Sequence, residues 1–231
     1  MEVMEAERLW KEGRLADATA SAARELRDDP TDVRLRTLYF ELLCFRGDWP
    51  RARKQLEVLG SDPTLQQSSL YYQRIIDAET QRQEMFQSPE LGRAWLQPAQ
   101  ACAGDIDGAR FDSIADADPR LGPRLELLTA GGYLLMPFAE ISELTFEPPR
   151  RLRDLIWRKA HMKSSPARGG LDVGEVLVPA LAPLSFLHES EPVQLGRVTV
   201  FEQDSQAGQK TLLAGDSEVA ILSIHSLRFS C

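Results

Sequence analysis

Through the first 88 residues, apolar positions recur at three- and four-residue spacing; beyond residue 132 they gather in short runs or alternate with polar ones. The first pattern belongs to helices that bury one face, the second to strands. The spacing predicts helices over 2–12, 15–28, 32–46, 49–59 and 64–86. Thr31 or Asp32 is placed to cap the third, just after Pro30, because a short polar side chain can accept a free amide of the first turn. Ser88-Pro89 ends the fifth. Residues 89–110 hold Gly92, Pro98, Gly104 and Gly108 and read as a connector with one short helix. Strands are predicted over 133–138, 141–146, 155–162, 175–181, 194–202, 210–213 and 218–227, with Gly215-Asp216-Ser217 as a hairpin turn. Residues 164–172 and 203–209 read as exposed loops. The chain therefore divides into a helical part, 1–88, a connector, 89–110, and a mainly-β part, 111–231.

The helical part repeats itself. Gly13 and Gly47 lie 34 residues apart, as do Leu9 and Leu43, Leu15 and Trp49, Ala18 and Ala52, and Glu7 and Glu41. Asp29-Pro30 returns as Asp62-Pro63 after 33. This period, with a mid-repeat Gly, a small Ala five residues on and a closing Pro, resembles the tetratricopeptide unit. Gly relieves the turn between two helices, Ala lets them approach, and Pro stops the second. Only two and a half units are present, whereas stacked repeats usually need about three. The last helix is thus expected to be covered by the rest of the chain. The expected fold class is α+β: N-terminal tetratricopeptide-like helical repeats followed by a small mainly-β, barrel-like C-terminal domain.

Composition narrows the function. Thirty-five acidic against 27 basic side chains give a net charge of −8, which argues against a nucleic-acid partner. No apolar run approaches the roughly 20 residues of a membrane span, so no membrane partner is expected. Glu2, Glu5 and Glu7 are wrong for a signal peptide. Cys44, Cys102 and Cys231 are odd in number and widely spaced, which fits a reducing, cytoplasmic setting better than a disulfide framework.

The densest acidic cluster is Asp105, Asp107, Asp112, Asp116 and Asp118. Such carboxylates could serve a metal-dependent hydrolase, but their spacing is not that of an EF-hand. Local turn and cap chemistry is the better reading, with Arg120 pairing with one of them. His161, His188 and His225 are far apart, and no serine sits in a Gly-x-Ser-x-Gly elbow. No catalytic residue, metal ligand or cofactor is therefore expected. Arg150, Arg151 and Arg153 with Arg158 and Lys159 form the one basic run. It reads as a short solvated helix after Pro148-Pro149, or else as a patch for an acidic partner.

A binding surface follows from the repeat register. It places Leu38, Glu41, Phe45, Leu70, Tyr71 and Arg74 on the concave face, with Val3, Met4, Glu7 and Trp10 at its edge. Tyr39, Phe40, Leu43, Trp49, Ala52 and Leu56 fall between helices. A mixed apolar and polar groove suits an extended or helical peptide. The alternative is a generic scaffold whose C-terminal domain fills its own groove.

One stretch is more specific. Asp107-Gly108 is followed by Phe111-Asp112-Ser113-Ile114-Ala115-Asp116-Ala117-Asp118-Pro119-Arg120-Leu121-Gly122-Pro123, then Gly131, Tyr133 and Pro137-Phe138, then Glu147-Pro148-Pro149-Arg150-Arg151-Leu152-Arg153-Asp154-Leu155-Ile156-Trp157. This succession, with Gly47-Asp48-Trp49-Pro50 nearer the start, closely resembles the TagJ family. That family, also called ImpE or SciE-type, comprises accessory components of bacterial type VI secretion systems. The sequence departs from it at Ser113, where Trp is usual, and in a shorter stretch between Trp95-Leu96 and Asp107-Gly108. The resemblance implies a non-enzymatic adaptor. Its partners would be the N-terminal segment of TssB, the small subunit of the contractile sheath, and ClpV, the ATPase that disassembles contracted sheaths.

Overall fold

The structure is a computed structural model that describes residues 4–88, 102–202 and 205–230. Most of the expected connector, 89–101 with its short helix, lies outside the described residues.

Five helices come first: α1 (Glu5–Lys11), α2 (Leu15–Asp28), α3 (Val33–Phe45), α4 (Trp49–Leu59) and α5 (Gln66–Gln87). Each packs on the next. Asp32 caps α3, accepting from the Leu35 amide at 2.9 Å, and Asp48 caps α4 through Arg51 at 3.2 Å. Gly13 and Gly47, the repeat-related pair, take left-handed conformations with φ of 85° and 64° at the two equivalent turns. Ala18, Ala22 and Ala52 are fully buried, as small residues between close helices must be.

The second half is antiparallel sheet: β1 (Gly104–Ile106), β2 (Ala109–Phe111), β3 (Ile114–Asp116), β4 (Arg124–Thr129), β5 (Gly132–Pro137), β6 (Ile141–Phe146), β7 (Trp157–Ser164), β8 (Asp172–Pro179), β9 (Val200–Glu202), β10 (Ser205–Ala207), β11 (Thr211–Ala214), β12 (Ser217–Ala220) and β13 (Ser226–Phe229). Eight strands form one sheet in the order β2-β1-β13-β6-β7-β8-β4-β5; β12-β11-β3 and β9-β10 form two smaller ones. The protein is α+β, but the sheet is open. Among the described residues β2 and β5 do not pair to close it, so no barrel forms. Two expected strands are also corrected. Residues 194–202 hold the end of a short helix, α6 (Glu191–Gln194), and only β9. Residues 218–227 are broken by a 3-10 turn at Ile221–Ser223, so that β12 and β13 join different sheets. The turn at Gly215-Asp216 joins β11 to β12 with Gly215 at φ 57°.

The helical core does not stop at the helices. It takes in Leu128, Leu152, Ile156, Trp157, Leu177 and Leu181 from the second half, and α5 lies against β4 and β5. Trp157 stacks near Tyr72 and Trp49, with centroids 6.1 and 6.5 Å away. The last helix is covered in this way. The second half also finishes the helix ends. Arg14 offers α2 no side-chain cap, and Glu191 supplies it, accepting from the Leu15 and Ala16 amides at 3.1 and 2.7 Å. Arg197 donates to the Trp10 and Lys11 carbonyls at 2.6 and 3.0 Å. Phe186 lies so close over Gly47 that a Cβ there would collide with its ring. Cys102 is disulfide-bonded, against the expectation from the cysteine count, and Cys44 is a buried free thiol.

Candidate partner-binding site

Arg34, Thr37, Leu38 and Glu41 follow one another at three- and four-residue spacing and therefore share one face of α3. With Met4, Glu7 and Trp10 from the start of the chain and Pro149, Arg150, Arg151, Leu152 and Leu155 from the second half, they enclose a cavity of about 560 Å3. The segment from Pro149 is shaped locally. Its prolines keep it extended, and a 3-10 turn, Leu152–Leu155, follows. Asp154 holds that turn, accepting from the Arg150 and Arg151 amides at 2.8 Å. Leu152 and Leu155 press into the helical core.

The basic run is thus not a free solvated helix. Arg153 reaches back to Glu41 at 3.3 Å and lies over the Tyr72 ring at 4.6 Å. Arg158 is buried over Phe146, and Lys159 pairs with Glu175 at 3.1 Å. Arg150 and Arg151 alone of the five stay exposed, at the cavity rim.

The two carboxylates of the cavity differ. Glu7 is held by Lys11 and Arg34, each at 2.8 Å. Glu41 is buried with Arg153 as its one ion-pair partner among the described residues. Burial pushes the Glu41 carboxyl up to about 7, against the pull of Arg153. Arg153 keeps a buried Nε with no partner.

Beyond the turn lies a second cavity of about 430 Å3, lined by Tyr71 and Tyr72 of α5 and by Arg151, Arg153, Lys159 and Glu175 among others. Arg151 borders both. The residues expected on one groove are therefore divided. Leu38 and Glu41 lie on the first cavity with Met4, Glu7 and Trp10, and Tyr71 lies on the second. Phe45 is a correction: at 1 % exposure it belongs to the core and cannot meet a partner. Leu70 and Arg74 are exposed but line neither cavity. The register argument assumed an uncovered face, and the 149–155 segment lies across it. Thr37, Leu152 and Leu155 were missed; the two leucines stood in the family-like stretch, which carried no spatial information.

The acidic cluster is dispersed. Asp105 and Asp107 serve the β1–β2 turn and the start of β13, accepting from the Gly108 and Ser226 amides at 3.0 and 2.6 Å. Asp118 accepts from the Arg120 amide and guanidinium, as cap chemistry requires. Asp116 is fully buried and pairs with Lys210 at 2.5 Å. Lys210 also meets Glu126 at 2.5 Å, and Glu126 takes a double contact from Arg82 of α5, at 2.6 and 3.0 Å. Arg82 reaches Glu79 at 2.8 Å, and Trp157 donates to Glu79 at 2.9 Å. This network ties α5 to the sheet. Among the described residues no group of three or more His, Cys, Asp or Glu is placed to hold a metal ion. His161, His188 and His225 each face a different carboxylate: Asp172, Glu202 and Asp107. No helix among the described residues is long and apolar enough to cross a membrane.

A sequence profile of the ImpE protein family matches residues 108–228. The chain belongs to the ImpE family. It is 32 % identical over 260 aligned positions to a Pseudomonas aeruginosa protein described as the type VI secretion system accessory component TagJ, covering 98 % of this chain and 91 % of that one. The crystal structure of a Vibrio parahaemolyticus protein superposes with a TM-score of 0.84 at 24 % identity, covering 98 % of each chain. That likeness shows the fold alone, helices and sheet together.

Proposed function

We propose that this ImpE-family chain is a non-enzymatic, cytoplasmic adaptor of a bacterial type VI secretion system. In this reading it binds the N-terminal segment of the sheath subunit TssB and brings the disassembly ATPase ClpV to the sheath. The Pseudomonas aeruginosa relative supports the secretion context, since it is described as an accessory component of a type VI secretion system. The helix pairs act as a tetratricopeptide-like scaffold. The observation that carries the reading is the cavity between α1, α3 and the 149–155 turn, walled by Met4, Trp10, Leu38 and Leu155 with charges at floor and rim. Apolar anchors with a polar border are what a groove for an amphipathic segment needs. Leu38, Glu41 and Tyr71 remain the proposed contact residues from the repeat register.

A second reading is favoured by one observation. Leu152, Leu155 and Arg153 already occupy the middle of the face, which is self-filling in part. Titration of a fluorescent TssB N-terminal peptide separates the two. The adaptor reading expects saturable binding that Thr37→Trp, adding bulk to the cavity wall, weakens about ten-fold or more without lowering the melting temperature. Absence of binding by the unaltered protein leaves the self-filled scaffold. The hydrolase reading of Asp105–Asp118 draws no support, because Asp105, Asp107, Asp116 and Asp118 are engaged by backbone amides, Lys210 and Arg120.

A further inference from the structure

The cavity has an unbalanced floor. Glu41 is buried there with one cation, Arg153, at 3.3 Å, and that cation is shared with the Tyr72 ring. Glu7, the other acid, is already paired twice. At the rim Arg150 and Arg151 are exposed and make no ion pair among the described residues. An apolar segment entering the cavity closes the little access to water that Glu41 keeps, at 7 % side-chain exposure. A carboxylate that loses its water without gaining a donor opposes binding strongly, so the entering segment must supply that donor or lose affinity. The same segment meets positive charge at the rim.

We infer that the cavity selects an amphipathic helical segment by charge order: one basic side chain within its apolar face, seated on Glu41, and an acidic residue towards Arg150 and Arg151. This deepens the reading of the cavity as a docking site and rests on it. The order also fixes direction, because a reversed segment would set basic against basic and acid against acid. A proton on Glu41 is the one substitute for the partner's cation, and burial places that protonation near neutrality. After burial, the groups that set it are Arg153, Asp154 and Arg151 of the turn; Tyr72 of α5 also faces it, and Glu7 of α1 and Arg34 of its own helix line the same cavity. The preference for a basic residue therefore shrinks on mild acidification.

Three labelled helical peptides of about 18 residues test this, identical except for Lys, Leu or Glu at the centre of the apolar face. Anisotropy titrations use the full chain and its Glu41→Gln variant at pH 8 and pH 6. At pH 8 the unaltered protein should bind the Lys peptide about ten-fold more tightly than the Leu peptide, with Glu weakest. The Lys-to-Leu ratio should fall to within about two-fold in Glu41→Gln and shrink at pH 6. Because the ratio is taken within one protein, a change in its stability does not mimic the effect. Equal affinities at pH 8, or a preference that survives Glu41→Gln, overturn the inference. Failure of all three peptides while the TssB segment binds overturns the charge order alone, and failure of that segment too removes the docking site with it. A sedimenting dimer abolished by Glu41→Gln would put a second copy of the chain in the cavity and also overturn it.

Discussion

Two regions of the molecule bury carboxylates, and they solvate them differently. Between α5 and the sheet, Glu79, Glu126 and Asp116 meet Arg82 and Lys210, with Trp157 and Tyr133 donating to Glu79 and Glu126. At the cavity floor Glu41 meets Arg153 alone among the described residues. The outcomes are opposite for the same residue type. Burial alone would raise Glu126, but Arg82 and Lys210 outweigh it and hold the carboxyl at about 2. Burial prevails at Glu41 and takes it to about 7. Asp116, which shares Lys210 with Glu126 and has no second cation, goes up to about 6. Glu126 meets two cations, whereas Glu41 and Asp116 each meet one among the described residues. A fully partnered cluster is a fastening between halves, whereas a half-partnered acid beside an open cavity is available to something that enters.

Arg82→Met gives the sharpest contrast. It leaves Glu79 and Glu126 buried without their shared cation and should cost about 3–5 kcal/mol in urea unfolding. A variant as stable as the parent would mean the network fastens nothing.

The pH dependence separates the regions by sign. The folded-state pKa of Glu126 lies below its unfolded value near 4.5, so its contribution is present above pH 4.5 and is lost as pH falls towards 2. Glu41 is displaced upwards, so the folded state holds its proton more tightly. Its contribution is present below pH 4.5 and is lost as pH rises through 7. Each displacement corresponds to roughly 3 kcal/mol at most. Glu126→Gln should flatten the acid limb of the stability profile, to which Glu7, Asp107 and other carboxylates with lowered values still contribute. Glu41→Gln should be more stable than the parent at pH 8, by about 1–3 kcal/mol, and equal to it near pH 4. Asp116 contributes to the same limb as Glu41, so the difference between parent and variant is the quantity to measure.

The smallest effect belongs to a third carboxylate, solvated and only partly buried. Glu191→Ala uncaps α2 and should cost about 0.5–2 kcal/mol, read as a drop in melting temperature. A loss larger than that of Arg82→Met would make the helix cap, not the ion network, the stronger tie between halves.

The helices were legible because each carries its own instructions: a spaced apolar face, Asp32 and Asp48 as caps, Gly13 and Gly47 at the turns. The strands from β5 to β8 were legible as apolar runs. The three-residue strands β1, β2 and β3 were not: they are too short to show an alternation, and β1 and β3 find partners in β13 and β11, more than 90 residues away, while β2 pairs with β1. The candidate site was legible in part. Repeat register gave Leu38 and Glu41 but could not show that Leu152–Leu155 crosses the same face and divides it. The ion network was invisible for the same reason: Lys210 and Asp116 are 94 positions apart, and Arg82 and Glu126 are 44. Nothing local marks a charge whose counter-charge arrives from another element.

The contacts of Phe186, Glu191 and Arg197 on the first two helix pairs have a consequence in time. The first turn of α2 is closed by a side chain about 175 residues downstream. At a ribosomal rate of about 5–20 residues per second, that partner emerges roughly 10–35 seconds after the helix it completes. In that interval the helix pairs stand with frayed ends, an uncovered α5 and no 149–155 wall. A nascent chain therefore carries the helices that wall the cavity well before it carries the closed cavity, so capture of a partner at the proposed site would wait until most of the protein has been made.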